Sequence, residues 1–150
     1  MRIRKQYITL FIALIFSAAV VAQTATVDQA RMHLDMKEYK KAIELYEELY
    51  KKDGRNQEVY NGYLDALVGA KEYKDAEKLV NNQWQKSPGN AAMAVDMGRV
   101  LKEAGREKAA EEYFEKAITM LNGDDLLTQY IAKKFSELGR DDYALKTYQR

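Results

Sequence analysis

Apolar and polar residues follow two superimposed periods along this chain. Over short stretches the apolar positions return every three or four residues, the spacing of one face of a helix. At longer range Ala42, Ala76, Ala110 and Ala144 stand 34 residues apart, and four residues after each comes a bulky side chain, Tyr46, Val80, Phe114 and Tyr148. A period of this length holds two antiparallel helices that cannot bury their apolar faces alone, so neighbouring pairs must stack. The pattern predicts an all-α solenoid of about four helix pairs over 23–150, with repeats at 23–56, 57–90, 91–124 and an incomplete 125–150.

With Gln23, Gln57, Ala91 and Asp125 as first positions, the eighth positions are Ala30, Leu64, Gly98 and Ala132, three of them small. Small residues there let paired helices approach closely. The eleventh positions, His33, Leu67, Leu101 and Phe135, are mostly bulky fillers of the same interface. Turns within pairs fall near Lys37-Glu38, Lys71-Glu72, Gly105-Arg106 and Gly139-Arg140, and a glycine there accepts the left-handed conformation that closes a helix. Between pairs stand Asp53-Gly54, Ser87-Pro88-Gly89-Asn90 and Asn122-Gly123-Asp124, clusters of turn formers and N-caps. The predicted helices are 26–36, 40–52, 57–70, 73–86, 91–104, 107–121, 125–138 and 141–150.

This register resembles the tetratricopeptide repeat family, which prefers small residues at positions eight and twenty, an aromatic at eleven or twenty-four, alanine at twenty-seven and proline at thirty-two. Gly98, the four ladder alanines, Tyr46, Phe114, Tyr148, Ala117 and Pro88 fit, and Tyr39 to Tyr46 reads closely as the family's second helix. Leu64 at position eight departs, as do Leu49 and Gln83 at twenty-seven. The resemblance implies a right-handed superhelix whose concave wall is built by the first helix of each pair.

The N-terminus follows another pattern. Arg2, Arg4 and Lys5 precede an apolar run from Ile8 to Val21, closing in Val20-Val21-Ala22 before Gln23. Basic start, short apolar centre and small residue at the cut make 1–22 a secretory signal peptide, cleaved after Ala22; an uncleaved anchor, the one membrane contact foreseen, is the alternative. Of 24 cations and 23 carboxylates, cleavage leaves 21 facing 23, so no basic field invites nucleic acid. The chain has no cysteine, which removes disulfides, thiol chemistry and a lipid-modified cysteine anchor. Export without disulfides suits the periplasm or cell envelope of a Gram-negative bacterium.

No phosphate loop, H-E-x-x-H or nucleophile elbow occurs, and the one histidine, His33, occupies a packing position. Catalytic, cofactor and metal sites are therefore expected to be absent. The ligand-facing positions that the resemblance implies place Arg31, Asp65, Arg99 and Lys133 at the ninth position, Val27, Asn61, Val95 and Gln129 at the fifth, and Leu34, Val68, Lys102 and Ser136 at the twelfth. Arg31, Asn61, Asp65, Arg99, Lys102, Gln129 and Lys133 are the candidate partner-binding residues, for a protein or peptide. The competing reading has Arg31, Asp65 and Arg99 bridging adjacent first helices. The expected function is an exported, non-catalytic scaffold for protein or peptide interactions in the envelope. The alternative is the N-terminal regulatory or sensory part of a longer envelope enzyme or signalling protein. The register also ends part-way along a second helix, which leaves Tyr143, Leu145 and Tyr148 uncovered and implies a longer native chain. The competing reading makes the short last helix itself the cap, and self-association through the last repeat is compatible with either function.

Overall fold

A computed structural model describes residues 25–149; the expected signal peptide, 1–22, lies outside the described residues. Eight helices follow in order: α1 (Val27–Asp35), α2 (Tyr39–Lys52), α3 (Gln57–Gly69), α4 (Tyr73–Lys86), α5 (Ala91–Glu103), α6 (Glu107–Thr119), α7 (Asp125–Glu137) and α8 (Asp141–Tyr148). They form four pairs, each packed on the next, as the period predicts. Boundaries shift only at the ends. The sixth helix stops at Thr119 rather than 121, where Met120 caps it and Leu121 bonds back to the Ile118 carbonyl.

The starts of the first helices are set by side chains. Asn56, Asn90 and Asp124 each accept from a first-turn N–H of α3, α5 and α7, and Thr26 forms a reciprocal capping box with Gln29 on α1. Thr26 also makes α1 nine residues long where the other three first helices have 13.

The turns inside the pairs repeat to the residue. Lys37, Lys71, Gly105 and Gly139, 34 apart, all have positive φ (58°, 62°, 75° and 66°). Each is followed by an N–H that reaches five residues back to the eleventh-position carbonyl, for example Glu72 to Leu67 and Arg106 to Leu101. This closure leads straight into the second helix, and α2, α4, α6 and α8 begin with no side-chain cap.

Packing follows the ladder. Ala42, Ala76 and Ala110 are fully buried and Ala144 nearly so, with Tyr46, Val80 and Phe114 buried one turn later. At Gly98 a Cβ would overlap the Phe114 ring, so the absent side chain is what lets α5 lie against α6. Leu64 holds the corresponding place on α3, and the backbones of α3 and α4 approach closely over much less of their length than those of α5 and α6. A main core runs through the second, third and fourth pairs, and a smaller one of Ala30, Ala42, Tyr46, Val59 and Ala66 joins the first pair to the second.

The last pair departs from one expectation. Leu145 and Tyr148 are exposed, but Tyr143 is buried. Its ring centroid lies 5.2 Å from that of Phe114 and 5.4 Å from that of Phe135, and the Arg140 guanidinium lies 4.5 Å from the Tyr143 ring centroid. The partners that cover Tyr143 come from the third pair and from its own.

Candidate interaction site

The first helices present a wall in which each is tied to the next by an ion pair. Arg31 of α1 pairs with Glu58 of α3, Arg99 of α5 donates to Asp65 of α3 at 2.5 Å, and Lys134 of α7 reaches Asp96 of α5 at 2.8 Å. Arg31, Asp65 and Arg99 thus all bridge adjacent first helices, Arg31 through Glu58.

A cleft of 290 Å³ opens in this wall, lined by Asn61, Leu64 and Asp65 of α3, Asp96 and Arg99 of α5, and Lys134 and Glu137 of α7 with Leu138 at its end. Of the candidate residues, the structure gathers Asn61, Asp65 and Arg99 there. The others lie outside this cleft. Lys133 and Gln129 are exposed on α7, with Lys133 3.7 Å from Glu137; Lys102 is half-buried on α5; and Arg31 sits on α1.

The floor is a buried polar chain unseen in the sequence. The Tyr60 hydroxyl of α3 donates to Asp96 Oδ2 at 3.1 Å while Lys134 holds Oδ1. One side chain from each of three successive first helices therefore meets at a carboxylate that is 4% exposed. Burial, and then the Asp96 charge, push the Tyr60 hydroxyl far above its ordinary range. Removing one partner of such a pair costs about 3–5 kcal/mol, whereas an exposed bridge such as Arg31–Glu58 contributes about 0–1 kcal/mol. Asp96 had a signal in the sequence: it is the lone acid in Ala91-Ala92-Met93-Ala94-Val95-Asp96-Met97-Gly98, a stretch otherwise apolar on every face. Lys134 had none, being one of two adjacent lysines, of which the register favoured Lys133.

Outside the wall, His33 Nδ1 lies 2.5 Å from Glu38, and hydrogen bonds from His33 and then Lys41 hold the Glu38 carboxyl below its usual range. Trp84 of α4 packs edge-on to Tyr113 of α6 with the Lys116 ammonium 4.7 Å from its ring centroid, an inter-pair contact between second helices. Among the described residues, no helix is long and apolar enough to cross a membrane.

A family model described as tetratricopeptide repeat matches residues 33–94 and again 67–119, together more than half of the chain. The chain belongs to the tetratricopeptide repeat family. Tetratricopeptide repeats make protein-interaction scaffolds, and the stacked pairs here are of that kind. No curated protein sequence matches the chain. Solved structures of MamA are similar in fold. One covers 89% of this chain and 81% of its own length at 20% identity and a TM-score of 0.53. Another covers 85% and 72% at 21% identity and 0.51. A third, MamA from residue 41 onward from Desulfovibrio magneticus RS-1, covers 82% and 70% at 13% identity and 0.51. At these identities the likeness concerns the helical fold alone.

Proposed function

We propose that this protein is an exported, non-catalytic scaffold of the bacterial cell envelope that holds a peptide or protein segment in the cleft among α3, α5 and α7. The observation that carries the reading is the composition of that cleft. Asn61 offers an amide and Glu137 an exposed carboxylate, while Asp65, Arg99, Asp96 and Lys134 are already oriented by one another. Preoriented polar groups need little ordering when a ligand arrives, which favours recognition over mere adhesion. Export is supported by the basic start and the apolar run ending at Ala22.

The experiment has two arms. Partners crosslinked to the mature protein in envelope fractions are identified and then titrated, purified, against the wild type and against Asn61→Ala with Glu137→Lys. Loss of affinity in the still-folded variant supports the cleft, and equal affinity moves the contact elsewhere. Fusing 1–22 to a reporter that is active only outside the cytoplasm tests export, and a mature N-terminus at Gln23 is the expected result.

A further inference from the structure

A second cleft lies where the connections between pairs converge, next to the first along α3, where Gln57 of its lining donates to Asn61 at 2.8 Å. The loop after α2 and the loop after α4 bound a space of 720 Å³, lined by Asp53, Gly54 and Arg55 on one side and Lys86, Ser87 and Asn90 on the other. Its charges are unbalanced: Lys52, Arg55 and Lys86 line it against Asp53 alone. Lys52 is met by Glu48 at 2.6 Å. Neither Arg55 nor Lys86 has a carboxylate partner among the described residues. The Lys86 ammonium instead donates to the Tyr50 hydroxyl at 2.9 Å and the Gly54 carbonyl at 3.4 Å, and lies 4.5 Å from the Tyr50 ring centroid. That geometry fixes a cation at the cleft without neutralising it.

The hydrogen-bonding inventory points the same way. Three acceptors in the lining are already engaged: Asp53 Oδ1 takes the Arg55 N–H, Gln83 Oε1 takes the Tyr50 hydroxyl, and Asn90 Oδ1 takes the Ala92 N–H, which leaves Asp53 Oδ2 and Gln57 Oε1 open. Donors remain: the Arg55 guanidinium, the Ser87 hydroxyl and the Asn90 amide nitrogen. The first turn of α5, which starts here, carries no acidic residue, so the positive end of that helix is not offset locally. A donor-rich, cationic lining suits a ligand that only accepts, and guanidinium with ammonium suits carboxylates. The space spans two successive connections, which favours an extended segment with several acids over a single small anion. The corresponding connection after α6 reads Asn122-Gly123-Asp124-Asp125 and is acidic, which confines the feature to the first three pairs.

We propose that this loop cleft is a docking site for an acidic peptide segment, its carboxylates held by Arg55 and Lys86. It is distinct from the cleft among the first helices and does not depend on it.

The test is a titration of the ¹⁵N-labelled mature chain with a blocked peptide of alternating Glu and Gly, beside its Gln counterpart and inorganic phosphate. The Glu peptide should shift amides in 53–57 and 86–93, weakening with salt. Arg55→Gln, an exposed position with no side-chain partner, should lose about tenfold in affinity, the scale of one charge-assisted contact. Glu137→Gln, in the other cleft and without a hydrogen bond to any residue of this one, should leave this binding unchanged. Equal binding of the Gln peptide, unaltered affinity in Arg55→Gln, or shifts confined to the first-helix cleft would each overturn the proposal. So would saturation by phosphate alone, which would make the site one for small anions.

Discussion

The second and third helix pairs solve the same packing problem with opposite choices of side chain. In the third, Gly98 faces Phe114: the helix gives up a side chain and its partner fills the space with a ring, bringing α5 and α6 close along much of their length. In the second, Leu64 and Val80 share the volume more evenly, both are buried, and α3 and α4 stand further apart. Burial is complete in both, so spacing and not dryness is what the eighth position controls. Closer backbones make the third pair less tolerant of added volume and more dependent on one large ring.

The comparison can be broken most severely at that ring. Phe114→Ala should cost about 3–5 kcal/mol, against about 2 kcal/mol for Val80→Ala, measured by urea unfolding. Equal losses would show that the two pairs do not differ in what holds them. Gly98→Leu should cost about 1–3 kcal/mol by driving a side chain into the ring. Adding Phe114→Val recreates the second pair's choice within the third and should recover part of that loss. The coupling in a double-mutant cycle should be about 0.5–3 kcal/mol, and additive effects would refute exchange of volume between the two positions.

The pairs are also joined by the buried Tyr60–Asp96 hydrogen bond, which makes stability fall in alkali. Tyr60 has its folded pKa raised, by burial first. Its contribution is therefore whole below the unfolded value of about 10 and is lost as pH climbs from there toward the folded one. Tyr63, also raised by burial to about 12, acts in the same direction. Tyr60→Phe should flatten the decline between pH 10 and 11 in thermal melts; an unchanged slope would assign the decline to other groups. The smallest effect is expected at the turns. Lys71 closes α3 with φ 62° where the third pair uses Gly105. Lys71→Gly should stabilise by about 0.5 kcal/mol, because the relief of left-handed strain is partly offset by added freedom in the unfolded chain.

Much of this was legible beforehand. The alanine ladder, the small residues at Ala30, Gly98 and Ala132, and the turn glycines Gly105 and Gly139 each report a local condition, a close approach or a left-handed backbone. Such conditions leave a mark on residue type, whereas Lys37 and Lys71 take that backbone without a matching residue type. The site was legible only in part. Position numbers placed Asn61, Asp65 and Arg99 on the wall of first helices, but charged residues on a wall choose partners by distance across helices. Arg31 therefore turned to Glu58, and Lys134 rather than Lys133 entered the cleft.

The sequence by itself determined the helices, their pairing and the stacking, because a 34-residue period leaves apolar faces that only a neighbouring pair can cover. Only the tertiary structure decided that Tyr60, Asp96 and Lys134, from three repeats, meet at one buried carboxylate, and that Arg55 and Lys86 share a cleft. Those meetings depend on the rotation and spacing between successive pairs. Both are summed over many small packing contacts, and no single residue encodes them.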